Sequence, residues 1–457
     1  MSDKFKEQGG AASMDPNPVY RWLSSRLISW LVGDSRLQRN RAKAERARQK
    51  KGSRHVVEYF HQVDDGYSHL AAQLLKPLSE RYDIDLICHL VPGPQGNNAA
   101  EPELLLALSR YDAQLIAPHY GLEFPSDEVQ PQASLVAVAS RILAAQTLDG
   151  FVRNVVSVGA AVWTSDRGSL DKLSGEVGIA SAADTELLMA SGNARREDLK
   201  HYSGGMFYYA GEWYWGVDRL YHLEKRLSAL GLDRLPEKSR LADRPQIESG
   251  PLKGDGKLTL EMYPSLRSPY TAVCFDRTVE LAKEMGVSLS VRPVLPMVMR
   301  GVPATREKGF YIFSDAAREA REAGVSFGNF YDPIGDPVRQ CYSLYPWACE
   351  QGKGVELLSS FLSCAFAKGV NTNNNKGLKT IIEQAGLDWG VAATIIGQSD
   401  WEGQLEENRL AMYEAGLWGV PSYRLLDNNG KQIMAVWGQD RLWLIANLIQ
   451  QHLADDR

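Results

Sequence analysis

The 457 residues are 44% hydrophobic and 23% charged with a net charge of −5, enough chain and apolar content for two soluble domains of about 200 residues each. No run approaches eighteen uninterrupted apolar residues, so no transmembrane helix is expected, and the polar start Met1-Ser2-Asp3-Lys4 lacks the apolar core of a secretory signal; a cytoplasmic address is the expectation. Five cysteines without a C-x-x-C pair exclude a disulfide framework and any standard zinc spacing.

In chain order, residues 1–17 have the composition of a disordered tail. Residues 18–51 read as a basic amphipathic helix, with Trp22, Leu23, Leu27, Trp30 and Leu31 forming an apolar stripe that would dock on a domain. Residues 36–51 carry eight Lys or Arg against Glu45, a net +7 that leaves −12 for the rest of the chain. Contact of this stretch with an anionic surface is therefore open, while no nucleic acid is selected as a partner.

Arg54 to Phe60 reads as a strand, Gly66 to Tyr82 as a helix and Ile84 to Leu90 as a second, parallel strand. Helical segments fill Pro102 to Lys200. A hairpin turning at Ala210-Gly211 and a helix over Val217 to Leu230 close the unit. Residues 233–256, rich in Pro, Gly and charge, read as a linker between a domain at 52–232 and another at 257–457. The order then repeats. Leu258 to Tyr263 and Ser288 to Val294 are strands, Glu307 to Tyr413 is helical, Ser422 to Leu426 and Gln432 to Trp437 form a hairpin, and Asp440 to Leu453 is the last helix.

The repetition is also written in residues. Trp215-Gly216-Val217-Asp218-Arg219-Leu220 returns as Trp437-Gly438-Gln439-Asp440-Arg441-Leu442, and Asp112, Gly121 and Phe124 have the spacing of Asp315, Gly324 and Phe327. Asn193 precedes Met206 by the thirteen positions that separate Asn408 from Pro421, which pairs Met206 with Pro421. The expected fold class is α/β, two tandem thioredoxin-like domains, each with a helical insertion.

Chemistry gathers in the second copy. Ser268-Pro269 stands where the first strand hands over to a helix, an N-cap serine followed by a first-turn proline. In this fold that turn faces a groove with the positive end of the helix. Val420-Pro421 directly precedes a strand, a location that suggests a cis bond in such a fold. In the first copy Asp65 replaces Ser268. A carboxylate about 4 Å from a thiolate costs roughly 1 kcal/mol at water-like screening and about 4 at an effective dielectric of 20, so that copy repels an anionic sulfur. It is expected to serve as scaffold, interface or cleft wall.

Ser268-Pro269-Tyr270-Thr271, the segment Lys308 to Asp315, Gly419-Val420-Pro421 and Trp437 to Arg441 together resemble the 2-hydroxychromene-2-carboxylate isomerases and kappa-class glutathione transferases, relatives of the DsbA oxidoreductases. The resemblance spans most of residues 257–457. It implies glutathione as cofactor, a small-molecule electrophile as substrate, and a homodimer among its assemblies. It implies further that Ser268 hydrogen-bonds the glutathione sulfur, that Lys308 lies in the active cleft, that Val420 and Pro421 present backbone to the cysteinyl part, and that Gln439 and Asp440 hold the γ-glutamyl end. The resembled enzymes carry Asp three residues before the serine and Asn nine before the lysine, where this chain has Ser265 and Met299. A DsbA-like dithiol oxidoreductase would need cysteines at Ser268 and Thr271, and Cys274 reads as core. A non-catalytic binding or scaffold protein is the other alternative.

Overall fold

The computed structural model describes residues 15–126, 129–302 and 304–455; residues 1–14 of the expected tail lie outside them. The helix expected over 18–51 is two helices, α1 (Pro18–Val32) and α2 (Asp34–Lys51), parted at Gly33, whose extended backbone (φ −63°, ψ 138°) ends the first. By its contacts the chain divides into two units. One runs from Gln38 to Pro245. The other joins α1 and the residues through Leu37 to everything from Gln246 onward, so α1 belongs with the second sheet and not with the first that follows it.

In the first unit β1 (Val56–His61) is followed by α3 (Gly66–Gln73), α4 (Leu75–Arg81) and β2 (Asp85–Leu90). One helix was expected over 66–82. Pro77 has no N–H to give the Gln73 carbonyl, and the helix breaks there at Leu74. The insertion comprises α5 (Pro102–Ile116), α6 (Ala133–Ala144), α7 (Leu148–Trp163), α8 (Arg167–Val177) and α9 (Ala182–Asp198). Phe151, Val155, Val158 and Val162 recur at helical spacing on the buried face of α7. At Gly159 a Cβ would stand 2.4 Å from His69 Nδ1, so this glycine lets α3 close on α7. β3 (Met206–Tyr209) and β4 (Glu212–Trp215) turn at Ala210 and Gly211, both at positive φ (45° and 92°), as a tight hairpin that matches strand twist requires. α10 (Gly216–Ala229) closes the unit, and the sheet order is β2-β1-β3-β4, with β1 and β2 parallel and the other pairs antiparallel. Five of the six residues of β1 are buried, as befits a central strand covered on both faces.

The expected linker is held at both ends. Asp233 pairs with Arg81 at 3.0 Å, both side chains being buried, and the Leu241 and Ala242 amides donate to the buried Glu224 carboxylate (2.8 and 3.1 Å). Further on, the Leu252 amide donates to Gln450 Oε1 at 3.0 Å, within the other unit. The change of unit falls between Pro245 and Gln246.

The second sheet is built the same way. β5 (Thr259–Tyr263), α11 (Pro269–Met285) and β6 (Ser288–Val291) lead to α12 (Arg306–Glu322), α13 (Asp336–Glu350), α14 (Gly354–Phe366), α15 (Asn375–Gln384), α16 (Trp389–Ile395) and α17 (Trp401–Glu414). β7 (Ser422–Leu426), β8 (Gln432–Trp437) and α18 (Leu442–Asp455) complete it, in the order β6-β5-β7-β8. The register corrects one pairing read from spacing. Met206 lies opposite Phe60, and Ser422 lies opposite Tyr263. Met206 is therefore the counterpart of Ser422, and Gly205 the counterpart of Pro421; Gly216 N donates to Gly205 O as Gly438 N does to Pro421 O (2.7 and 3.0 Å). Sheet pairing fixes equivalence, whereas a shared thirteen-residue spacing across insertions does not.

α1 docks on residues 330–334 with the face opposite to the one expected. Arg21, wholly buried, donates through Nη1 to the carbonyls of Asp332 and Ile334 (2.7 and 2.6 Å). Ser25 Oγ accepts from Asp332 N at 2.9 Å, and Ser29 Oγ from Phe330 N at 2.9 Å. Those backbone groups sit in a loop without ladder partners, so polar side chains satisfy them where an apolar stripe would not.

Candidate functional site

The site is assembled at the N-terminus of α11. Ser268 caps it: Oγ accepts from Thr271 N at 3.1 Å and donates to the Val420 carbonyl at 3.4 Å. The Val420–Pro421 peptide is cis, as its place before the strand suggested. One hydroxyl thus joins the helix end to the loop entering β7. Behind it Thr271 Oγ1 accepts from Ser265 N at 3.4 Å; Ser265 is itself buried beside Tyr342. Arg267, the residue before the serine, forms a two-pronged ion pair with Asp332 (2.8 and 3.0 Å), the residue whose carbonyl receives Arg21. The turn is therefore braced through Asp332 by α1.

Lys308 lies in the first turn of α12, where its amide donates to the cap Thr305 Oγ1 at 3.2 Å. Its Nζ stands 5.8 Å from the centre of the Trp418 ring, a cation–π distance, and burial holds its ammonium below the usual lysine range. Trp418 packs in turn against Trp437 with ring centres 5.4 Å apart. Gly419 permits this, since a Cβ there would lie 2.5 Å from Trp437 Nε1.

Gln439 and Asp440 occupy the turn between β8 and α18. Gln439 is buried and turned inward, its Nε2 donating to Glu319 Oε2 of α12 at 2.5 Å, while the Asp440 side chain is 12% exposed beside Arg441. The structure thus brings Ser268, Val420 and Pro421 together, sets Lys308 against the same loop through Trp418, and engages Gln439 in packing.

Sequence reasoning missed two residues here. Trp418 and Trp437 form the aromatic wall, and the pair Trp418-Gly419 ahead of Val420-Pro421 was the available signal. Arg300, after the buried Met299, donates from Nε to Leu295 O at 3.1 Å, and its guanidinium is buried beside Tyr413. A lone arginine in a loop carries no pattern that could have marked it.

The thiols are not poised for exchange. Cys274 is fully buried, Tyr423 OH donates to its sulfur at 3.1 Å, and burial pushes the thiol up to about 12. All five cysteines are free.

The corresponding turn of the first unit has a different chemistry. Asp65 Oδ2 accepts from Ser68 N and Ser68 Oγ (2.8 and 2.7 Å), and burial raises its carboxyl to about 6. Gly205, at φ +65°, leaves only 3.0 Å between a Cβ built on it and Asp65 Oδ2. His61 and His69 are buried, which lowers them to about 3 and about 4, so both are neutral packing groups; His61 Nδ1 pairs with Tyr59 OH at 3.0 Å.

Residues 259–450 match the DSBA-like thioredoxin domain family. No curated protein matches the chain. Among solved structures, the chain is similar to a 2-hydroxychromene-2-carboxylate isomerase (16% identity, TM-score 0.37, covering 43% of this chain and 97% of that one). It is similar also to a probable DsbA oxidoreductase from Streptomyces coelicolor (15% identity, TM-score 0.33, 42% and 90%). Proteus mirabilis ScsC is a third (12% identity, TM-score 0.28, 65% and 97%). The fold is α/β, with two four-stranded sheets in the DsbA-like thioredoxin arrangement.

Proposed function

We propose that the second unit is a glutathione-dependent isomerase or transferase acting on a small electrophile. The observation that carries this reading is the Ser268 hydroxyl, held at the N-terminus of α11 and spanning to Val420. The donor set fits such a tripeptide: a hydroxyl at a helix end for the sulfur, and the Val420 backbone beside the cis bond for a peptide edge. The Ser268 contact to Val420 O, at 3.4 Å, is long enough for the hydroxyl to turn to a sulfur instead. Asp440, at the opening of α18, would receive the γ-glutamyl ammonium, with Gln439 fixing that turn through Glu319.

Glutathione, when bound, supplies a sulfur nucleophile for an electrophilic carbon. The chain's part is to favour its anion. One donating hydroxyl and a helix N-terminus lower a thiol by about one to two units, roughly 1.4–2.7 kcal/mol of preference for the charged form. Lys308, beside the Trp418 ring, offers positive charge where negative charge develops on the electrophile. A dithiol exchange has no sulfur at Ser268 or Thr271 to begin it.

Calorimetry with glutathione, together with thiolate absorbance of the bound form against pH, tests the reading. The expected result is binding with a depressed thiol titration that returns toward its free value in Ser268→Ala. Absence of binding, or a titration unchanged by Ser268→Ala, overturns it.

A further inference from the structure

Because α1 docks through its polar face, its apolar face points away from the protein. Val19, Leu23, Leu27 and Trp30 recur at spacings of four and three residues, with Tyr20 and Trp22 at the margins of the same face. These six side chains are from 49% (Trp22) to 68% (Val19) exposed. Arg21, Ser25 and Val32 are the buried residues on the opposite side. The polarity is inverted relative to a helix whose only task is to cover a domain. A continuous apolar face with two tryptophans and a tyrosine is what the boundary of a bilayer accommodates, since their rings are amphipathic.

Charge selects which bilayer. Arg26 is exposed on this face between Trp22 and Trp30, and the Arg36 guanidinium lies 3.6 Å from the centre of the Trp30 ring. The chain then enters α2, which begins two residues after α1 ends, has no buried residue, and holds eight Lys or Arg against Asp34 and Glu45. No described helix is long and apolar enough to cross a membrane. We infer that α1 lies flat on an anionic lipid surface, its apolar face in the headgroup boundary and Arg26 and Arg36 at the level of the phosphates. An anionic bilayer accommodates both an apolar face bordered by tryptophans and the cations beside it. The inference does not rest on the glutathione reading.

Flotation of the full-length chain with vesicles tests it, using phosphatidylcholine alone and an equimolar mixture with phosphatidylglycerol, read also by tryptophan emission. The expected result is association with the mixed vesicles only, weakened by salt, reduced about tenfold or more in Leu23→Glu/Leu27→Glu and to a smaller degree in Arg26→Glu. These side chains are exposed, so Arg21 docking and the folded circular dichroism spectrum persist in the variants. No association with mixed vesicles, equal association with neutral ones, or association undiminished in the double variant overturns the inference. A concentration-dependent dimer lost in Leu23→Glu/Leu27→Glu would also overturn it, assigning the face to a second copy.

Discussion

Asp65 and Ser268 stand at the same turn of two sheets that share their order and much of their polar wiring. Glu58 and Glu261 are buried carboxylates on the central strands. Glu58 is held by His89 and Arg195 (2.8 and 2.6 Å), Glu261 by Arg292 and Arg424 (3.0 and 2.6 Å). Tyr67 donates to Asp112, and Tyr270 to Asp315, each at 2.9 Å. Ser68 and Thr271 each receive an amide from the residue six positions earlier. The frame is common, and the difference is confined to the cap and to the residue facing it, aspartate with glycine in one unit and serine with cis-proline in the other. The lesson is that a frame can be kept by interactions that have no part in its chemistry.

The most severe way to test the shared frame is to remove its carboxylates. Glu58→Ala strands Arg195 and His89, Glu261→Ala strands Arg292 and Arg424, and a loss of roughly 3–4 kcal/mol is expected for either, measured by urea unfolding. A loss confined to one unit breaks the equivalence. Glu58 adds a pH signature: its carboxyl is lowered to about 2 by Arg195 and His89 against the cost of burial, so its contribution is complete above the ordinary 4.5 and fades as pH falls toward about 2.

The cap gives the opposite sign. With Asp65 raised to about 6 from 3.8, the folded protein holds a proton that the unfolded chain has released, and stability declines as pH rises through that window. Asp65→Asn should remove that decline, worth about 2–3 kcal/mol between pH 4 and pH 7, in unfolding curves collected across the range. An unchanged pH profile would show that Asp65 titrates as it does in the unfolded chain, ionised across the whole window, and would sharpen the contrast with the neutral Ser268. The smallest expected effect sharpens the frame again. Tyr67→Phe and Tyr270→Phe should each cost about 1 kcal/mol, and unequal values would mark the unit in which the buried aspartate depends on its tyrosine.

Much of this was legible in the sequence because it is local. The strands, the hairpin at Ala210-Gly211 and the Ser268-Pro269 cap are fixed by neighbours in the chain. What escaped is non-local. The inward turn of Gln439 is set by Glu319, 120 positions earlier. The match of Gly205 to Pro421 follows from strand register, which insertion length conceals. The face by which α1 docks is chosen by unsatisfied amides and carbonyls around Asp332, 311 positions from Arg21, and no periodicity can announce them.

That last contact bears on how the chain is made. A ribosome releases α1 before the Gln38–Pro245 unit, and only after that unit the loop around Asp332 that Arg21 and Ser25 satisfy. Until that loop is made, Arg21 and Ser25 have no backbone groups to dock on, although the whole Gln38–Pro245 unit has already been synthesised. The unit around the second sheet is completed by a helix made before the unit around the first. A gene fragment that begins at Gln246 omits a structural part of its own domain.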